Sequence, residues 1–146
     1  MEQRVNIQVT QPQAYKAMFA LEAYLQTTQL SKTQKELIKI RASQINGCAF
    51  CIDMHTKDAR KLGETEQRIY LLNAWRETDL YTEEEKAILA LTEEVTLINA
   101  NGVSDKTYAQ AERLFGKEQV AQIIMAIVTI NAWNRIAIST ELQPVK

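Results

Sequence analysis

Both cysteines and the only histidine of this 146-residue chain fall within one stretch, Asn46-Gly47-Cys48-Ala49-Phe50-Cys51-Ile52-Asp53-Met54-His55. Read as the opening of a helix, it places Cys51 three residues after Cys48 and His55 four residues after Cys51. At about 100° per residue, the three side chains share one stripe. A neutral imidazole one turn from a thiol can take its proton, and the thiolate is the nucleophile. A thiolate can cleave a peroxide O–O bond and become a sulfenic acid, which a second thiol within reach converts to a disulfide.

Other chemistries fit the same residues. Two cysteines can be small buried apolar groups. They can also form half of a zinc site, although two Cys and one His leave the ion short of a fourth ligand, with Glu36 the near candidate. Cys-x-x-Cys itself reads two ways, as redox pair or metal ligand. A lone histidine on a helix is often a packed or surface residue, but His55 is unique and one turn from a thiol. Glu36 lies in the first turn of its helix, where a carboxylate is favourable simply against the helix dipole. Trp75, Arg76 and Tyr81 could line an approach to the thiols, but aromatics so placed read first as core. The run Glu83-Glu84-Glu85 reads as a helix N-terminal turn.

Seven helices are expected to position these residues, after an extended arm over 1–11 in which Val5, Ile7 and Val9 alternate. Pro12 suits the first position of a helix over 12–29. Ser31 caps the next, which carries Leu37, Ile38, Ile40, Arg41 and Ile45 and stops at Asn46-Gly47, two residues tolerant of left-handed angles. A third helix opens at Cys48 and runs to Leu62, ended by Gly63. The two thiols then lie where the partial positive charge of a helix N-terminus favours a thiolate. Thr65 caps a helix over 66–78, and Thr82 with Glu85 forms a capping box for one that runs to about Asn99. Asn101-Gly102 is a turn, Ser104 caps a helix that stops near Gly116, and a last helix covers about 117–140. That helix carries Val120, Ile123, Ile124, Ile127, Val128, Ile130, Trp133 and Ile136, apolar on more than one face. It therefore reads as buried on several sides, against its own domain and another subunit. The fold class is all-α, a single-domain helical bundle of six to seven helices.

Composition narrows the function classes. The 17 basic and 18 acidic residues nearly balance, which argues against nucleic acid or an anionic membrane surface as the main partner. No uninterrupted apolar run approaches the roughly 20 residues of a bilayer span, and residues 1–13 lack the apolar core of a signal peptide. Two cysteines so close in sequence are too local to staple a fold, and in a reducing compartment they are redox-active or metal-binding. A cytoplasmic protein is the reading. Four glycines and two prolines suit long helices with short joins.

The motif and its flanks resemble the alkyl hydroperoxidase AhpD family, within the carboxymuconolactone decarboxylase-like superfamily. The carrying stretches are Ala14-Tyr15-Lys16-Ala17-Met18, residues 41–48 on through His55-Thr56-Lys57-Asp58-Ala59-Arg60, Trp75-Arg76-Glu77-Thr78, and Ile130-Asn131-Ala132-Trp133-Asn134-Arg135. A glutamate twelve residues before the first cysteine, here Glu36, adds to the Cys-x-x-Cys-x-x-x-His core. The resemblance implies an all-helical oligomer, a dimer, trimer or hexamer, with a redox-active dithiol that reduces peroxides. By position, Cys51 resembles the cysteine that becomes the sulfenic acid, and Cys48 the proton donor and resolving thiol. His55 and Glu36 resemble the proton relay. Some relatives carry a second histidine where Phe50 stands, and Phe50 makes this site more apolar. The expected activity is a thiol-dependent peroxidase with no bound cofactor, since the chain has no nucleotide-binding glycine motif. Its electrons would come from an external dithiol donor, such as a lipoyl group or a thioredoxin-like protein. The rival readings are a redox-sensing or adapter module that uses the same pair without turnover, a lactone decarboxylase, which has no need of the pair, and a metal-binding protein.

Overall fold

The computed structural model describes residues 2–146, and every regular element among them is helical. In chain order these are α1 (Ile7–Thr10), α2 (Pro12–Leu25), α3 (Lys32–Asn46), α4 (Ala49–Lys61), α5 (Glu66–Tyr70), a 3-10 helix (Leu72–Glu77), α6 (Glu83–Thr96), α7 (Ile98–Asn101) and α8 (Asp105–Ser139). The expected caps are in place. Pro12 opens α2, and Thr65 and Ser104 cap α5 and α8. Thr82 and Glu85 exchange their two capping-box bonds at 3.1 and 2.9 Å, and Ser31 with Gln34 makes a second box at the start of α3.

Four expectations are corrected. The arm over 1–11 is not extended throughout: Asn6 accepts the Val9 N–H at 3.2 Å and caps one helical turn, α1. Alternating valines favour a strand only where another strand pairs with them, and Val5 and Val9 are exposed. Met1 lies outside the described residues. The helix over 66–78 is two pieces, because Leu71 and Ala74 depart from α geometry and the second piece tightens into a 3-10 helix. The helix beginning at Glu83 ends at Thr96, where Leu97 turns its ψ to 39°. The first long helix stops at Leu25, four residues short of Gln29. The stop at Gly116 is present as a break inside α8, where Gly116 takes φ 76° and ψ 164°.

Helix α3 is buried on two sides and joins the two main apolar clusters. Ile38 and Ala42 face Leu25, Ile88, Leu91, Val120, Ile123, Ile127 and Ile130. Leu37 and Ile40 face Ala59, Ile69, Leu72, Trp75, Tyr81 and Leu89. By length and composition alone, α8 could cross a membrane. Here it is the long core helix, packed along α6 and α3, with Val128 and Ile138 left exposed on its outer side.

Glu93 ties α6 to two other elements. Its Oε1 accepts from Arg41 Nε at 3.2 Å and Trp75 Nε1 at 2.6 Å, and its Oε2 accepts from Arg76 at 2.6 Å. Burial alone would raise the Glu93 carboxyl, but the hydrogen bonds from Arg76, Trp75 and Arg41 outweigh it and hold the group below the ordinary value. A carboxyl lowered in the fold stabilises the protein above the unfolded value, and that contribution is lost as pH falls through the folded one. Glu93→Gln should therefore cost about 2 kcal/mol at pH 7. Urea unfolding across pH should show the gap to the parent protein closing below about pH 4.

Candidate functional site

Gly47 adopts φ 70° and ends α3 in a Schellman motif, with its N–H on Gln44 O at 3.3 Å and the Cys48 N–H on Ser43 O at 3.0 Å. Cys48 is at once the residue beyond that turn and the N-cap of α4. Its Sγ accepts the Cys51 N–H at 3.3 Å. Cys48 and Cys51 form a disulfide, with Cα atoms 5.3 Å apart. The cysteines are almost sealed, at 1% and 4% exposure, and pack with Phe50 and Ala137 of α8.

A polar network fixes the turn that carries them. Asn46 donates to Asn131 and Asn134 Oδ1, each at 2.9 Å, and Asn134 donates to Ser43 Oγ at 3.0 Å. Asn131 in turn donates to Thr96 Oγ1 at 3.0 Å. Asn134 and Ser43 are fully buried, so each bond lost there strands a partner away from water. Asn134→Ala should lower stability by about 1–3 kcal/mol, as read by urea unfolding of the oxidised protein.

The four residues singled out in the sequence are brought together. His55 follows Cys51 on one stripe of α4, and its Nδ1 lies 3.2 Å from Glu36 Oε2 on α3. The two atoms face each other out of hydrogen-bond alignment, and neither has another partner among the described residues. Asp58, one turn beyond His55, completes a group whose ligand atoms all lie within 4.8 Å of one another. Glu36, His55 and Asp58 could thus offer three donors to a divalent cation. The cysteines, bonded to each other, offer no thiolate to it in this state.

Cys51 and His55 open onto a cavity of about 570 Å³. One wall is a cluster of Tyr15, Phe19 and Trp133, with ring centroids 5.4 to 5.8 Å apart. Phe50, Met54 and Ile136 add apolar surface. Trp133 donates to Glu22 at 3.0 Å, and Glu22 pairs with Lys39 at 3.5 Å on the polar side. Cys48 does not line this cavity. Trp75 and Tyr81 do not reach it either. They belong to the cluster on the other side of α3, with Arg76 beside them at Glu93. Their aromatic character suited a pocket, but Trp75 on the 3-10 helix and Tyr81 in the connection before α6 pack on the side of α3 away from the thiols. The sequence reading missed Asp58 and did not separate Tyr15, Phe19 and Trp133 from ordinary core. Asp58 was signalled by its spacing, since Cys51, His55 and Asp58 follow at i, i+4 and i+7.

The carboxymuconolactone decarboxylase family profile matches residues 12–94. An uncharacterized Bacillus subtilis (strain 168) protein, YdfG, is 50% identical over 139 residues, 95% of each chain. A protein of unknown function from Agrobacterium tumefaciens, a candidate antioxidant defence protein AhpD, has a crystal structure that superposes with a TM-score of 0.95. It is 43% identical, with 99% of both chains covered. The debrominase Bmp8 shares the fold alone, at 18% identity and a TM-score of 0.83 over 93% of this chain and 73% of its own.

Proposed function

This chain belongs to the carboxymuconolactone decarboxylase family and has its AhpD-like fold, and we propose that it works as a thiol peroxidase that reduces organic hydroperoxides. The observation that carries this reading is the asymmetry of the sulfur pair. Cys51 lines a cavity of about 570 Å³ with an aromatic wall, and Cys48, bonded to it, lies outside the cavity. An aromatic wall in a chamber of that size favours a substrate with a hydrocarbon body over hydrogen peroxide.

In the reduced protein the Cys51 thiolate attacks one peroxide oxygen. An S–O bond forms, the O–O bond breaks, and the departing alkoxide takes a proton carried by His55. Cys51 is then a sulfenic acid. The Cys48 sulfur attacks it, an S–S bond forms, the S–O bond breaks, and hydroxide leaves as water with the second proton. The sulfur pair has lost two electrons and the peroxide has gained them. An external dithiol donor returns them by thiol–disulfide exchange. Glu36, beside His55 Nδ1, orients the ring and shares its proton. The chain is expected to act as a homo-oligomer. The exposed apolar residues Val9 and Val128 are sites that contact with another copy would cover.

Cys51→Ser should abolish turnover of cumene hydroperoxide with dihydrolipoamide as reductant, in an assay that follows hydroperoxide loss. Activity retained in that variant refutes the reading. Trp133→Ala should enlarge the chamber and remove the ring that faces Tyr15. The KM for cumene hydroperoxide should rise several-fold, with little change for hydrogen peroxide. Equal effects on both substrates would show that the aromatic wall does not bind the substrate body.

A further inference from the structure

The dithiol cycle proposed above needs protons from outside. A donor dithiol reacts as its thiolate, so its protons stay in bulk water. Each attack expels a sulfur of the Cys48–Cys51 pair as a thiolate, and two protons per cycle must then reach a pair that is 1% and 4% exposed. The peroxide half-reaction carries both away in the alcohol and the water. The 570 Å³ chamber is the open approach to Cys51, and it is also the approach that substrate and donor would use. A second way in for protons would leave that approach free for them.

Asp58 lies where such a path would run. It lines the thiol chamber and also a separate surface cavity of about 280 Å³, bounded by Gln26, Lys32, Lys35, Glu36, Lys39 and Lys61. His55 reaches only the chamber; Glu36 borders the surface cavity and faces His55 Nδ1 at 3.2 Å without a hydrogen bond, which leaves Asp58 as the carboxylate that borders both spaces. Lys39 borders both, but it is paired with Glu22, and an ammonium has no acceptor with which to take up a proton. A carboxylate has one. Asp58 lies within 4.8 Å of both His55 and Glu36 ligand atoms. Among the described residues no ion pair engages it, whereas Asp53 on the same helix is held by Lys57 at 2.8 Å.

We infer that Asp58 is the solvent-side member of the proton relay, taking protons from the lysine-rimmed surface cavity and passing them through His55 to Cys51. It acts through His55 rather than on the sulfurs themselves. The inference rests on the dithiol–disulfide cycle but not on the identity of the oxidant.

The test is single-turnover reduction of the disulfide by excess dithiothreitol, followed by stopped-flow tryptophan fluorescence at fixed pH in a weak, dilute buffer. Asp58→Asn should slow it by about ten-fold or more. Added formate or acetate, small enough for the surface cavity, should restore the rate in proportion to concentration in Asp58→Asn and leave the parent protein unaffected. Asp58→Glu should retain most of the rate. An unchanged rate in Asp58→Asn overturns the inference, and so does a loss that small carboxylic acids do not restore. Asp58→Ser serves the same comparison if the asparagine variant fails to fold by circular dichroism. No peroxide enters this measurement. Absence of hydroperoxide turnover in the unsubstituted protein would remove the peroxidase reading and leave the relay result standing.

Discussion

The site depends on one residue that belongs to two helices. Cys48 closes the Schellman turn of α3 with its N–H and opens α4 as N-cap with its sulfur. Only Gly47 and Cys48 separate the two helices, so the register of α4 against α3 has no slack. The turn requires the left-handed backbone of Gly47, which a side chain adopts only at a cost of about 1 kcal/mol or more. Helices that fold back across such a turn bring together positions equally far from it. At 1.5 Å per residue, Glu36 and Asp58, each eleven residues from Gly47, stand about 16 Å along their helices on either side. That symmetry places both carboxylates beside His55.

A hairpin of two helices would still be free to splay, and α8 prevents it. Asn131 and Asn134, one turn apart, grip the side chain of Asn46 just before the turn, and Asn134 also grips Ser43. Ala137 follows on the same side of α8 and packs against the sulfurs. Amides are well suited to this place. A network in which every buried donor and acceptor is matched accepts one geometry and penalises others, whereas apolar side chains would tolerate sliding. The aromatic wall is held in the same manner, since Trp133 is tied to Glu22 on α2. One face of α8 thus fixes the turn, backs the disulfide and walls the chamber.

Much of this could be read from the sequence because it is local. Caps at Ser31, Thr65, Thr82 and Ser104, the stop at Asn46-Gly47 and the stripe of Cys48, Cys51 and His55 are all spacing rules within one helix or turn. The partnership of Glu36 with His55 came from resemblance, because it crosses two helices and a first-turn glutamate has a simpler explanation. Asp58 could have been found by counting outward from Gly47, which treats the two helices as a hairpin. The chamber could not be found that way. Tyr15 and Phe19 are one turn apart on α2 but Trp133 is far away in sequence on α8, and an aromatic at helical spacing looks the same whether it meets a neighbour or a void. Trp75 and Tyr81 show the converse: similar residues that face a filled core on the other side of α3.

The two sulfurs are distinguished by access and by electrostatics, and the two criteria name different atoms. Access selects Cys51, which lines the chamber. The backbone selects Cys48, whose sulfur receives the Cys51 N–H at the N-terminus of α4. These conflict only if a single thiolate is thought to do everything. In a dithiol cycle each disulfide reduction needs an accessible sulfur to be attacked and a second sulfur that leaves readily as a thiolate. In the proposed cycle a donor in the chamber would meet Cys51 first and expel Cys48, and the N-cap hydrogen bond would stabilise the charge that then appears on Cys48. In the oxidative half of that proposed cycle Cys51 would meet the peroxide, and Cys48, its thiolate stabilised by the same N–H, would attack the sulfenic acid from behind. One N–H at the head of α4 would thus serve both halves, and it is in place because the turn made Cys48 the N-cap.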